Sequence, residues 1–420
     1  MSRKIYYPFI LFLLFFLIYY AGSFTKIPFA DCVGFVFLVE KGEFMQVATA
    51  TSHFLYINTA ILIKNIFGIS AIEASRFLVI ITAAATVSII YATVKTITRT
   101  EWISITSAFV FGFSFSFWRN AEIVEVYTYN SLWISLFFYC IIKSFTDHKK
   151  QYIILGSIFL GISLWIHIQN IMLVPAFLLF IFYFRSEKKY AYSSLLIFTI
   201  LFLSLFILNI SQGLSLNSPY SSDQGTWVQN SFKKTAIQYA LDLVKSVVYL
   251  LYNFNLFTVF GIIGIIALYK SYRKMFFVFF TASLFVYGFA TFYAVSDNYV
   301  FFIPFNIIFA LSIGYGISVI KKPYLKKISW VCLLIPALYF SAFKIAYNTK
   351  KGKEFHDFKS YKGGLNYYML PWMNNNSGIL EFTIEKKKAP EPVNWMTYSA
   401  LEYIELLKSK GYTEEQIKKL

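Results

Sequence analysis

Long apolar runs, interrupted by short polar breaks, occupy most of this chain. A membrane-crossing helix needs roughly 20 mostly apolar residues. Eleven runs come near that length, at about residues 5–24, 76–94, 101–118, 129–146, 152–168, 170–184, 192–212, 254–269, 275–294, 299–320 and 328–347. A tight turn at His167–Asn170 divides the fifth from the sixth. The pattern predicts an all-α integral membrane bundle of about eleven transmembrane helices over residues 1–347, followed by a small polar region, 348–420. The basic start and Ala21-Gly22-Ser23 would also suit a cleaved signal peptide. The apolar stretch between them outruns a usual signal core, so it is read as a retained helix.

Two longer connections break this rhythm. Residues 26–75 carry spaced apolar positions (Phe35, Leu38, Phe54, Leu55, Leu62, Ile66) that predict amphipathic helices lying at the membrane surface. Residues 213–253 begin as a Ser/Asn/Pro/Gly loop and continue as another such helix over 236–252. In the C-terminal region a helix pair is expected near 401–410 and 413–420, the second opened by the capping-box spacing Thr413–Gln416.

Composition narrows the class. Hydrophobic residues make up 58% of the 420 positions and charged residues only 14%. Soluble domains carry about 25% charged residues. Three cysteines in apolar surroundings exclude a disulfide scaffold. The net charge of +17 would suggest nucleic acid in a soluble protein. Here 17 of the 26 basic residues before residue 348 fall in alternate connections: 2–4, 95–99, 143–150, 185–189, 270–274 and 321–327. That asymmetry places those connections in the cytoplasm and argues against nucleic acid as a partner. The expected protein is multi-pass in the cell (inner) membrane, N-terminus cytoplasmic, with residues 348–420 external or periplasmic.

Ionisable groups at a membrane edge are costly and therefore informative. On the predicted outer side stand Asp31, His53, Arg119, Glu122, Glu125 and His167. Glu122 reads as a surface neighbour, and Trp102, Trp118, Tyr127 and Tyr129 as an interfacial aromatic belt. No metal-ligand spacing, phosphate-cradling glycine loop or serine-hydrolase elbow is present, so no metal ligand or cofactor is assigned; a divalent-metal requirement stays open. A carboxylate with Arg and His nearby suits proton abstraction coupled to anion stabilisation.

The stretch Phe113–Asn130 resembles the F-S-x-x-F-W-x-x-A-x-x-x-E-V-Y-x-x-N signature of a polytopic family filed as domain of unknown function 2723. That family shares the GT-C glycosyltransferase fold and includes a protein O-mannosyltransferase. Gly161, His167 and Pro175 match its G-(x)5-H-(x)7-P spacing. Asp31-Cys32-Val33-Gly34-Phe35 and His53-Phe54-Leu55-Tyr56 follow more loosely its D-S-x-E-F and H-P-P-G-Y-P-L-Y segments. Here Gly34 replaces a glutamate and both prolines after His53 are missing. The resemblance covers roughly residues 25–180.

It implies a GT-C-like bundle that moves a sugar from a polyprenyl-phosphate donor to an acceptor hydroxyl of a protein, lipid or glycan, on the non-cytoplasmic face and with inversion. Asp31 would be the base and Glu125 a second catalytic carboxylate. Arg119, His167, Tyr127 and His53 would meet the donor phosphate or substrate. A transporter or flippase of a lipid-linked saccharide, or a non-catalytic membrane scaffold, fits the same topology.

Overall fold

The computed structural model describes residues 6–220, 226–295, 297–320 and 329–420. The basic segments 2–4 and 321–327 lie outside the described residues.

Described helices overlap each of the eleven apolar runs. They are α1 (Tyr6–Gly22), α4 (Ala71–Thr98), α5 (Glu101–Gly112), α7 (Tyr127–Thr146), α8 (Gln151–Leu164), α9 (Val174–Tyr183), α10 (Lys188–Ser211), α13 (Phe257–Ser271), α14 (Arg273–Phe292), α15 (Ile303–Val319) and α16 (Ile335–Tyr347). Between them run α2 (Cys32–Lys41), α3 (Phe54–Phe67), α6 (Phe115–Ala121), α11 (Trp227–Ser231) and α12 (Ala236–Phe254). Residues 350–417 add α17 (Lys350–Phe358), α18 (Gly364–Met369), α19 (Ile379–Ile384), α20 (Asn394–Ser409) and α21 (Glu414–Ile417).

Among the described residues, five helices are each long and apolar enough to cross a membrane unaided, and a sixth span forms if α12 and α13, bent by 103°, are taken together. Two of the other runs are cut by breaks in the helix. The run at 101–118 stops at Gly112 and resumes as α6, and the run at 152–168 ends at Leu164 before a 3-10 turn over Ile168–Leu173. Such breaks are tolerated at membrane depth only where protein or a wet cavity satisfies the freed backbone groups.

The long α4 is the central post. Ser70 caps its start, accepting the Glu73 backbone N–H, and Arg99 closes it in a left-handed conformation. It packs against α1, α3, α5, α7 and α15, while α15 is buried along almost its whole length. Helices α10, α12 and α14 instead turn Leu196, Ile207, Leu241, Val248 and Leu284 outward, as lipid-facing surfaces do. At one end of the bundle, connections are tied by ion pairs: Arg99–Asp147 at 3.2 Å, Lys95–Glu101 at 2.5 Å and Lys150–Glu187 at 2.6 Å.

Helices α13 and α15 touch through bare backbone. A Cβ added at Gly264 would lie 1.8 Å from the Ser312 carbonyl oxygen, and one at Gly316 would lie 1.9 Å from that of Phe260. Without water to drive helices together, such close approach is itself the source of attraction.

At the other end, residues 24–79 and the C-terminal residues 373–417 share one hydrophobic cluster. The expected surface-lying helix at 32–41 is therefore corrected: Val33, Val36, Phe37 and Val39 of α2 are buried, with α20 packed against the helix. Local periodicity could not show this, because the covering helix lies more than 350 residues away. Helix α3 keeps Leu62, Ile66 and Phe67 exposed, and α12 likewise shows an outward apolar side. The capping box at Thr413–Gln416 forms as expected.

The C-terminal region is strapped to the start of the chain. Met373 N–H and Asn374 N–H donate to the Gly22 carbonyl at 2.8 and 2.9 Å, and Ile379 N–H to that of Ile27 at 3.0 Å. The Asn376 amide oxygen accepts from Thr25 and Lys26 N–H, while its nitrogen donates to the Lys26 carbonyl at 2.7 Å. Glu122, expected at the surface, is instead 1% exposed: Trp118 Nε1–H and the Met373 N–H, at 2.9 Å, both donate to its carboxylate.

Gly264→Ala should lower thermal stability by about 1–3 kcal/mol through forced separation of α13 and α15. Gly288→Ala on α14, where a Cβ meets nothing within 4 Å, should not; melting of detergent-purified protein compares the two. Glu122→Ala should cost about 1–3 kcal/mol by orphaning two buried donors, and should speed hydrogen exchange over 365–380.

Candidate active site at the loop end of the bundle

Asp31 caps the start of α2, where its carbonyl accepts the Phe35 N–H at 3.1 Å. Glu125, buried between α6 and α7, reaches the same helix end. Its carboxylate takes the Asp31 backbone N–H and lies 3.8 Å from the Cys32 thiol. A carboxylate at a helix N-terminus meets unsatisfied N–H groups and the positive end of the helix dipole. Glu125 thereby fixes where Asp31 stands.

A third acid joins them. Asp297 precedes a 3-10 turn, Asn298–Phe302, whose Phe301 carbonyl accepts from Gln169 Nε2 at 2.8 Å. The Phe301 ring packs on Tyr127 and His167, with centroids 5.9 and 5.8 Å apart. Asp31 and Asp297 both keep solvent-exposed surface, although protein packs closely around their carboxyl groups. Burial, and then the charge of Asp297, pushes the Asp31 carboxyl up to about 6. Burial also raises Asp297 and Glu125, the latter further through the charges of Asp31 and Asp297.

Cationic groups stand on the other side. Arg119, on α6, is 2% exposed and has no ion-pair partner among the described residues. Its Nη1 donates to the Leu370 carbonyl at 3.2 Å, and its guanidinium lies over the Tyr367 ring, 4.2 Å from the centroid. The Tyr367 hydroxyl donates in turn to the Phe29 carbonyl, two residues before Asp31. One phenol therefore touches both the stretch of chain that carries the acid and the buried cation.

His53 and His167 pair at 5.1 Å between ring centroids, and His167 also meets the Tyr127 ring at 5.7 Å. Burial lowers both imidazoles, His53 to about 4 and His167 well below its usual value, so both are neutral near pH 7. Their tautomers follow from their partners. His167 Nδ1 accepts the Gln169 N–H at 3.2 Å, which leaves the proton on Nε2. His53 Nδ1 faces the Ile166 carbonyl at 3.2 Å and so carries its own proton. His53 also has a left-handed backbone, φ 46°, uncommon for a non-glycine residue.

The structure thus gathers Asp31, Glu125, Tyr127, His167 and His53 along one face, with Arg119 across Tyr367. The charges of Asp31, Glu125 and Asp297 all reach the Tyr127 hydroxyl. Of the two ways His167 could meet an anion, as a cation or as a hydrogen-bond donor, burial leaves the neutral N–H donor. The aromatic belt is corrected: Trp118 and Tyr129 are buried, the latter's hydroxyl 3.1 Å from Thr59 Oγ1. Sequence reasoning missed Asp297, Tyr367 and Lys362. Asp297 did leave a signal, as the one acid between Asp242 and Glu354. Gly34 has room for a larger side chain, since a Cβ there would find only Ser399 Oγ, at 3.9 Å. Among the described residues no three His, Cys, Asp or Glu side chains are grouped to hold a metal ion.

Residues 15–191 match the family model of the protein O-mannosyl-transferase TMEM260 N-terminal domain. Among solved structures, ArnT from Cupriavidus metallidurans in the apo state superposes with a TM-score of 0.58 at 9% identity, covering 94% of this chain and 74% of that one. ArnT bound to undecaprenyl phosphate gives 0.54 at 8% identity with the same coverage. The apo oligosaccharyltransferase of Archaeoglobus fulgidus gives 0.54 at 11%, covering 85% and 60%. Among curated proteins no sequence matches the chain significantly. With its helices packed as in these structures, the chain is a multi-pass membrane protein with the fold of GT-C glycosyltransferases, and its residues 15–191 are similar to the domain named for TMEM260.

Proposed function

We propose that this protein transfers a sugar from a polyprenyl-phosphate carrier to an acceptor hydroxyl on the non-cytoplasmic side of the membrane. The observation that carries the reading is the separation of charge about Tyr367: an accessible carboxylate, Asp31, on one side and on the other a buried cation, Arg119, which the charge of Glu122 reaches but which has no ion-pair contact among the described residues. A likeness to ArnT, which has been solved with undecaprenyl phosphate, supports the carrier class. The side of the membrane follows from the loop charges, because the opposite end of the bundle holds Lys95, Arg99, Lys143 and Lys150.

In this mechanism the Asp31 carboxylate takes the proton of the acceptor hydroxyl. The oxygen attacks the anomeric carbon from the face opposite the carrier, and the carbon–oxygen bond to phosphate breaks with inversion. The electron pair leaves with the polyprenyl phosphate. Arg119 meets the charge that develops there, and the Nε2–H of His167 offers a neutral donor. Glu125 acts by holding Asp31 at the end of α2. Metal dependence is left to experiment, and the acceptor is a hydroxyl of protein, lipid or glycan.

Positioned base catalysis contributes roughly 10²–10⁴-fold. Asp31→Asn should lower release of free polyprenyl phosphate from a panel of polyprenyl-phosphate sugars by about that factor while leaving membrane insertion intact; full activity in this variant would sink the assignment. The base must be ionised, so the wild-type rate should fall as pH drops through about 6. Asp297→Asn removes the negative charge that opposes Asp31 ionisation, and should move that acidic limb to lower pH in the same assay.

A further inference from the structure

Residues 361–373 lie outside the matched family region, yet they touch Arg119 and the Asp31 segment together. The Tyr367 ring holds a second cation besides Arg119. Lys362 Nζ lies 5.4 Å from the centroid of the ring that carries the guanidinium at 4.2 Å. Only 12% of the Lys362 side chain is exposed. Its counter-ion is Glu391, at 3.6 Å, and Glu391 is shared with Lys359, which it holds more closely. Three cations thus gather about a single ion-paired carboxylate, Glu391, with the charges of Asp297 and Glu122 reaching Lys362 and Arg119 from further off, in a place where a low-dielectric surround makes surplus charge costly.

We propose that Lys362 and Arg119 together form the seat of the carrier phosphate, so that the C-terminal region supplies half of the anion site and Tyr367 is the positioning residue that spaces the two cations. This rests on the donor reading above and assigns it a second contact. A phosphate lying beside the ring would answer both cations at once. Burial, with Lys359 and Arg119 adding repulsion, holds the Lys362 ammonium below its ordinary value, and an incoming anion relieves that. Glu391 then serves as a stand-in that the ligand displaces.

The test compares binding of undecaprenyl phosphate and of uncharged undecaprenol to full-length protein in nanodiscs. Wild type should prefer the phosphate. Lys362→Met should weaken phosphate binding roughly tenfold, the effect of one charge-assisted contact, and leave undecaprenol unchanged. Lys362→Arg should restore it. Glu391→Gln should tighten it, an effect that a purely structural lysine would not give. A wild type that prefers the phosphate while Lys362→Met matches it overturns this inference and spares the donor reading, as does weaker phosphate binding in Glu391→Gln. A wild type indifferent to the phosphate overturns both.

Discussion

A guanidinium buried at the rim of an apolar bundle, with no carboxylate in ion-pair contact among the described residues, is the constraint around which this molecule is arranged. Unpaired buried charge is among the costliest features a fold can carry. Here it is held by a backbone carbonyl and an aromatic face, a cation–π contact of the kind that strengthens as water is excluded. Both supports come from residues 367–370, so the position of Arg119 is inseparable from that of the C-terminal region. The same phenol reaches the Phe29 carbonyl and so sets how far the acid side stands from the basic one.

The acids are arranged on the opposite principle. Asp31, Glu125 and Asp297 come from three connections; burial first, and then the charge of Asp297, keeps Asp31 a stronger base than an ordinary aspartate. Glu125 is held in this company by helix geometry, since the end of α2 offers it N–H groups that the helix itself leaves unsatisfied. Its place in the E-V-Y segment therefore has a physical reason: it fixes a helix start.

Much of the helical frame was legible from hydropathy, because each apolar run needs only its own neighbours to declare itself. The candidate site was legible where a motif kept residues close in sequence, as at Arg119, Glu125 and Tyr127. It was not legible where partners lie far apart. Glu122 looked like a surface acid because its donor Met373 is 251 positions away. Residues 32–41 looked surface-bound because α20 covers them from the far end of the chain. The neutrality of His167 follows from burial, and its tautomer from one N–H of Gln169, neither of which a sequence displays.

The strap from residues 361–382 to the start of the chain bears on the order in which the protein is made. Contacts of such long separation form late and cannot be rehearsed by local folding. A polypeptide emerging N-terminus first delivers Asp31, Arg119 and Glu125 to the membrane long before Tyr367 and Met373 exist to hold them. During that interval Glu125 can already hold the start of α2, but the distance between the acid side and Arg119 is set only once the C-terminal residues have been made.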